Sequence, residues 1–300
     1  MKNSIIFHLS RNKELAEKVS KISGIPLGKV EIERFSDGEI LVRNLSDIKG
    51  KTVYIIQSTG QNSSDSLMEL LIAIDAFKNS SCKEVVCVIP YYGFSRQDRV
   101  ARKGEPITAK VVAHALQAAG ADRFICVDLH TQQIQGFFSA PVMDLETYDI
   151  FGDYFVKRFK ELGIKERDVA VVSPDHGSDV RVRDLSSLFD NAEIAVISKR
   201  RPAPNISEVT NVVGEVKGKT CLIIDDIIDT GGTINNAVDA IFKKGAKEVF
   251  VCATHAVFSK GQVIDKRVKE IVITDTLQTN LEGVKVLSVA NLLANAIISE

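Results

Sequence analysis

Short apolar runs rich in Val, Ile and Cys recur along the chain. Between them lie longer stretches whose apolar positions fall three or four residues apart. Val53–Gln57, Val85–Pro90, Phe124–Asp128, Val169–Ser173, Cys221–Asp225 and Val249–Ala253 are near-continuous apolar runs and read as strands buried on both faces. Asp65–Asn79, Thr108–Ala119, Phe151–Leu162 and Thr233–Lys244 have helical spacing and length. The two kinds of segment alternate, which predicts an α/β protein of parallel sheets covered by helices.

The chain also repeats itself. Ile48-Lys49-Gly50-Lys51-Thr52-Val53-Tyr54-Ile55-Ile56 is echoed 168 residues later by Val216-Lys217-Gly218-Lys219-Thr220-Cys221-Leu222-Ile223-Ile224. Lys83-Glu84-Val85-Val86-Cys87-Val88 is echoed 164 residues later by Lys247-Glu248-Val249-Phe250-Val251-Cys252. Each copy reads strand, loop, helix, strand. The similar offsets imply one register with a small insertion or deletion. Two similar domains are therefore expected, residues 1–145 and 146–300, with the last helix packing back on the first domain. Chance likeness of two strand-helix-strand units is the alternative.

Composition excludes several functions. The chain is 45% hydrophobic, 26% charged and 6% aromatic, ordinary for a soluble α/β protein. A net charge of -1 provides no global attraction to nucleic acid or an anionic membrane. No apolar run approaches the roughly 18 residues that span a bilayer, and Met1–Phe7 enters a strand-like run with no signal-peptide core. Of the five cysteines, Cys87, Cys126, Cys221 and Cys252 lie in or beside apolar runs and none forms a C-x-x-C pair. Buried structural thiols in a reducing cytoplasm are expected.

The copies differ where their first strand ends. The first has Gln57-Ser58-Thr59-Gly60; the second has Asp225-Asp226-Ile227-Ile228-Asp229-Thr230-Gly231-Gly232-Thr233. Ligands of open α/β sheets sit beyond the carboxyl ends of strands. Two adjacent carboxylates there can accept hydrogen bonds from the vicinal hydroxyls of a ribose. The glycines free the backbone N–H groups to converge, Thr230 and Thr233 add hydroxyl donors, and the following helix start favours an anion. Diols beside a phosphate describe a ribose phosphate. The Gly-Lys-Thr of both copies is not a nucleotide-binding P-loop, because it precedes a strand rather than following one; it reads as a turn.

Asp225–Thr233 resembles the ribose-phosphate motif of the phosphoribosyltransferase fold, which implies two phosphoribosyltransferase-like α/β domains, each a mainly parallel sheet flanked by helices. Further segments resemble the ribose-phosphate pyrophosphokinase family, in family order and over almost the whole chain. Phe35-Ser36-Asp37-Gly38-Glu39 looks like its adenine-recognition loop. Pro90-Tyr91-Tyr92-Gly93-Phe94-Ser95-Arg96-Gln97-Asp98-Arg99 looks like its ATP-binding segment. Asp128-Leu129-His130, Gln132-Gln133-Ile134-Gln135-Gly136-Phe137-Phe138, Ser173-Pro174-Asp175-His176-Gly177 and Lys199-Arg200-Arg201-Pro202 also match.

The resemblance implies transfer of the β,γ-diphosphate of ATP to the C1 hydroxyl of ribose 5-phosphate, with Mg2+, for nucleotide biosynthesis. Phe35, Asp37, Glu39, Arg96, Gln97, Asp98 and Arg99 would bind ATP. Asp225, Asp226, Asp229, Thr230, Gly231, Gly232 and Thr233 would bind ribose 5-phosphate, the aspartate pair directly or through Mg2+. His130 and Asp175 would place the metal. Lys199, Arg201 and His130 would be catalytic, the first two on a flexible loop that closes over the triphosphate. The family's adenine loop serves a neighbouring subunit, which implies a homo-oligomer built from dimers, a hexamer by resemblance.

Plainer readings stand beside these: an exposed basic turn for Lys199–Arg201, a structural histidine for His130, an Asp-Gly turn for Phe35–Glu39. The chain also departs from the family. Ser178-Asp179 follows Asp175-His176-Gly177 where a second glycine is usual. Asp47 and Lys49 stand near where regulated members carry Ser and Arg for an allosteric phosphate, and the sequence stops at Ser299-Glu300, short of their Ser-containing tail. A base phosphoribosyltransferase would share Asp225–Thr233 without the ATP segments or the doubled domain. A regulatory paralogue on the same fold is the non-enzymatic rival, disfavoured by the intact Lys199–Arg201.

Overall fold

A computed structural model of the chain describes residues 3–60, 62–175, 179–203, 206–261, 263–279 and 281–299; the side chains of 179, 199–203 and 206–210 lie outside the description. The structure divides into two compact units. One holds the chain up to Leu145, Asp275–Gln278 and the stretch from Ser288 onward; the other holds Glu146–Thr274 and Thr279–Leu287.

The first unit is built on β1 (Ser4–His8), β4 (Thr52–Ile56), β5 (Glu84–Ile89), β6 (Arg123–Val127) and β7 (Val142–Leu145), in that spatial order and parallel throughout. Its helices are α1 (Lys13–Ser23), α2 (Ser63–Asn79), α3 (Thr108–Ala118) and α7 (Ala290–Ser299). Val53, Ile55, Val85 and Cys87 face one way and bury Leu70, Ile74 and Phe77 of α2 together with Val112, Ala113 and Leu116 of α3. That covering is what a fully parallel sheet requires. A polar-tipped hairpin, β2 (Val30–Arg34) with β3 (Ile40–Asn44), stands apart as its own antiparallel pair.

The second unit repeats the plan. Its sheet runs β10 (Ile206–Val213), β9 (Glu193–Ala203), β8 (Val169–Ser173), β11 (Thr220–Ile228), β12 (Glu248–Ala256), β13 (Val268–Thr274), β14 (Val284–Leu287). Only β10 is antiparallel. Three helices flank it: α4 (Tyr148–Glu161), α5 (Asp179–Ser187) and α6 (Gly232–Lys243). Phe151, Phe155 and Phe159 recur every four residues along α4, and Phe155 and Phe159 both meet the ring of Phe250 from β12.

The sequence repeat is a repeat of hydrogen bonds. Gly50 and Gly218 are both left-handed, with φ of 70° and 72°. The Gly50 amide donates to Ser81 O at 2.9 Å and the Gly218 amide to Gly245 O at 2.8 Å, while Lys51 and Lys219 amides close turns on Ile48 O and Val216 O. Both Gly-Lys-Thr segments are therefore tight turns that launch a strand.

The structure corrects three expected boundaries, one being the strand expected at Val249–Ala253, which runs from Glu248 to Ala256. The strand expected at Cys221–Asp225 runs on to Ile228, because β12 continues beside it with Ile228 opposite Ala256. The helix expected at Phe151–Leu162 begins earlier, at Tyr148. The described cysteines are all free, four buried and Cys82 half-buried.

Candidate active site

The crevice of the second unit lies where the chain changes direction across the sheet. From β8 it moves outward to β9 and β10; from β11 it moves the other way to β12, β13 and β14. The helix after β8, α5, packs Val182 and Leu185 against Leu222 and Ile224. The helix after β11, α6, packs Ile234, Val238 and Ile241 against Cys221 and Ile223, on the opposite face. Divergence of two helices at adjacent strands opens a gap at their carboxyl ends, the usual ligand position of such sheets. β8 pairs with β11 only as far as Val172 opposite Ile223. Beyond that point Asp225 and Asp226 have sheet on one side only.

Both aspartates are buried, 7% and 4% exposed, although they lie in the strand rather than past its end. Burial, then the charge of Asp226 and that of Asp175, pushes the Asp225 carboxyl well above its usual range. Two adjacent buried carboxylates cannot both ionise cheaply, so each disfavours the charged form of the other. Carboxylate oxygens so placed can accept hydrogen bonds from sugar hydroxyls.

Past Ile228 the loop turns into α6. Gly231 is left-handed, with φ of 77°, and a Cβ placed on it would lie 2.4 Å from Val263 O. Thr230, Gly232 and Thr233 are exposed, at a helix start whose first amides are open to an anion. Asp229 has a partner inside the protein: Oδ1 accepts the Ser259 amide at 3.3 Å. The segment supplying Ser259 and Val263 carries no motif, and the sequence gives no sign that it backs this loop.

In the first unit, Phe35, Asp37 and Glu39 form the exposed tip of the β2–β3 hairpin. The Phe35 amide donates to Glu39 O at 2.9 Å, the Glu39 amide to Asp37 Oδ1 at 3.1 Å, and Arg34 Nη1 to Gly38 O at 2.8 Å. A closed turn thus presents the Phe35 ring 49% exposed. Arg96, Gln97 and Arg99 are exposed after β5. Gln97 Oε1 accepts the Thr108 hydroxyl at 2.6 Å, tying the segment to the start of α3. Asp98 differs from its neighbours. It is 8% exposed, and its Oδ2 accepts Thr131 Oγ1 at 2.8 Å and Gln133 Nε2 at 2.9 Å. It binds the segment that carries His130 rather than facing outward.

His130 follows β6, after a left-handed Asp128 with φ of 43°. Asp175 follows β8, and its carbonyl accepts the Ser173 hydroxyl. Lys199, Arg200 and Arg201 lie on β9, with Lys199 opposite Val209 and Arg200 opposite Glu208. Their backbone is an extended edge arm, not the expected loop. His176, Gly177 and Ser178 lie outside the described residues.

A switch-point crevice, a buried aspartate pair and a Gly-Gly-Thr helix start define a phosphoribosyltransferase-type domain. Comparison with known proteins agrees and goes further. A profile of the phosphoribosyl transferase domain matches residues 144–288, and one of the N-terminal domain of ribose phosphate pyrophosphokinase matches residues 4–120. The chain is 48% identical to the ribose-phosphate pyrophosphokinase of Bacillus subtilis, over 99% of this chain and 94% of that one. It is 47% identical to that of Fusobacterium nucleatum, over 98% and 94%. The crystal structure of phosphoribosylpyrophosphate synthetase from Mycobacterium smegmatis superposes with a TM-score of 0.88 at 38% identity, covering 98% of this chain and 97% of that one. The chain belongs to the ribose-phosphate pyrophosphokinase family.

Proposed function

We propose that the chain transfers the β,γ-diphosphate of MgATP to ribose 5-phosphate, yielding 5-phosphoribosyl 1-diphosphate and AMP. The buried Asp225–Asp226 pair beside the Asp229–Thr233 loop carries this reading, since it joins a diol receptor to an anion receptor. The C1 hydroxyl oxygen attacks the β-phosphorus as the bond from that phosphorus to the bridging oxygen breaks. AMP leaves with that oxygen, and the hydroxyl proton passes to solvent. Asp225 and Asp226 hold the ribose hydroxyls. Thr230–Thr233 hold the 5-phosphate. Phe35, Asp37, Glu39, Arg96, Gln97 and Arg99 receive the nucleotide, and Lys199 and Arg201 bring positive charge to the transferring group.

The donor chemistry suits Mg2+. The carboxylates of the adjacent Asp225 and Asp226 offer the oxygen ligands a hard cation prefers. Among the described residues no group of three or more acidic, His or Cys side chains forms a cation cluster. Mg2+ needs none, being held by one or two carboxylates with substrate phosphates. Asp175 and His130 are the residues assigned to it, and when bound it neutralises the triphosphate. No described helix is long and apolar enough to cross a membrane, and free buried thiols suit a reducing cytoplasm. A homo-oligomer built from dimers is part of the same reading.

Incubation with ATP, Mg2+ and ribose 5-phosphate tests it. AMP is the expected nucleotide product; ADP, from transfer of one phosphoryl group, would overturn the reading.

A further inference from the structure

We infer that Asn235 is a positioning residue for the 5-phosphate loop, acting through the strap of residues 259–261 and 263–267 between β12 and β13. The inference rests on the assignment of residues 230–233 to the 5-phosphate. An anion loop works when its amides are aimed before the ligand arrives. Adjacent glycines work against that, because they leave the backbone many alternative conformations. Something outside the Gly-Gly-Thr motif must therefore hold it.

The strap does so at two points. Its Ser259 amide donates to Asp229 Oδ1 at 3.3 Å, and Val263 O stands where a Cβ on Gly231 would lie, 2.4 Å away. The strap in turn is held along one face of α6, at Asn235, Asp239 and Phe242, spaced four and three residues apart. Arg267 Nη2 lies 3.5 Å from Asp239 Oδ1 and the guanidinium 4.9 Å from the centre of the Phe242 ring. These are exposed contacts, screened by solvent.

Asn235 makes the firmer connection. Its Nδ2 donates to Val263 O at 2.8 Å and its Oδ1 accepts the Asp265 amide at 2.8 Å. One side-chain amide thus engages the strap backbone as a neighbouring strand would. The carbonyl it grips is the one that walls in Gly231. Asn235 is also fixed at its own backbone, where its amide donates to Gly231 O at 2.8 Å. Side chain, strap and glycine therefore form one closed circuit behind the phosphate site.

Steady-state kinetics separate this role from a merely structural one. Asn235→Ala is expected to raise KM for ribose 5-phosphate about tenfold, about 1.4 kcal/mol, with KM for ATP changed less than about twofold. Asn235→Asp keeps the acceptor for the Asp265 amide and loses the donor to Val263 O. It should match the alanine variant, and being isosteric it serves where alanine fails to fold. Thr230→Val and Thr233→Val test the underlying site. If either raises KM for ribose 5-phosphate while neither Asn235 variant does, the strap role is wrong and the site stands. If all four leave it unchanged, the site assignment itself fails and the inference fails with it. Parallel rises in both KM values, with a lowered Tm, would mark Asn235 as structural only.

Discussion

Phe94 and Phe258, 164 residues apart in sequence, both adopt left-handed backbone, with φ of 65° and 42°. Each follows the equivalent strand of its unit, β5 or β12, and each is followed by a serine, Ser95 or Ser259. A bulky side chain in this region costs roughly 1–2 kcal/mol, so it persists only where packing dictates it. Phe258 is 8% exposed in the core that includes α6, and its amide and that of Val257 both donate to Ile228 O. The kink sends the chain back over the Asp229–Thr233 loop, where the Ser259 amide meets Asp229. Truncating the ring should cost about 3–5 kcal/mol. Glycine accepts φ of 42° without strain. Phe258→Gly is therefore expected to be more stable than Phe258→Ala by about 1 kcal/mol, the reverse of the order in a helix. Urea denaturation of the two variants measures this; an alanine variant equal to or better than glycine would contradict it.

Asp98 supports its neighbours. Its Oδ2 accepts both Thr131 and Gln133; Thr131 is half-buried and Gln133 exposed, so water can replace the lost acceptor and Asp98→Ala should cost about 0.5–1.5 kcal/mol. It also loosens the segment bearing His130. We expect a fall in kcat and in Tm, and a Thr131→Val, Asp98→Ala double variant little worse than Asp98→Ala alone, since the two residues share one interaction. Strictly additive effects, with KM for ATP alone affected, would instead place Asp98 on the nucleotide.

The central parallel strands β4, β5, β6, β8, β11 and β12 were readable because they are buried almost throughout and so appear as near-continuous apolar runs, as in Val169–Ser173; the parallel strands β7 and β14, toward the sheet edges, are not fully buried and carry no such run. The hairpin strands are not marked this way: Glu31, Glu33 and Arg43 interrupt β2 and β3, which are only half covered. The true start of α4 is hidden because Tyr148, Asp149 and Ile150 are not buried and only Phe151 begins the core stripe. Asp225–Thr233 was legible because its chemistry is local: carboxylates, glycines and hydroxyls in one run. Asn235 and Asp98 were not, because each acts on groups 28 to 35 residues away, through contacts that only the fold creates.

The Asp225 carboxyl carries a pH signature. Its folded-state pKa lies well above the ordinary 3.8, chiefly through burial and then the charge of Asp226. Between the ordinary and the folded value the native state binds more protons than the unfolded chain. Stability is therefore highest at the acid end of that window and falls as pH rises through it. Asp225→Asn removes the cost of ionisation. The variant should melt higher than the parent near neutral pH, the gain shrinking as pH falls toward 3.8, while losing most activity, because the amide nitrogen only donates where a carboxylate oxygen would accept from the sugar. Thermal melts across that range decide the matter; a gain that grows on acidification would show that the folded pKa is lowered instead.

The proposed oligomer makes the most demanding prediction. Phe35, Asp37 and Glu39 form a closed, exposed turn on a separate hairpin, with a ring 49% open to solvent. An aromatic side chain held open by a rigid turn is suited to stack on a purine, and a two-fold contact would place each tip in the partner's site reciprocally. Asp37→Ala would disable the nucleotide tip a subunit lends, and Asp225→Ala the sugar site it keeps. Each variant alone should be nearly inactive. In a mixed dimer one of the two sites receives both intact halves, so random exchange of equal amounts should restore about a quarter of the parent activity, since half of the dimers are mixed and each has one whole site. Subunit exchange is verified by mass spectrometry of differently tagged chains, and AMP release is measured before and after. Exchange without recovery would mean that each chain builds its nucleotide and sugar sites from its own residues.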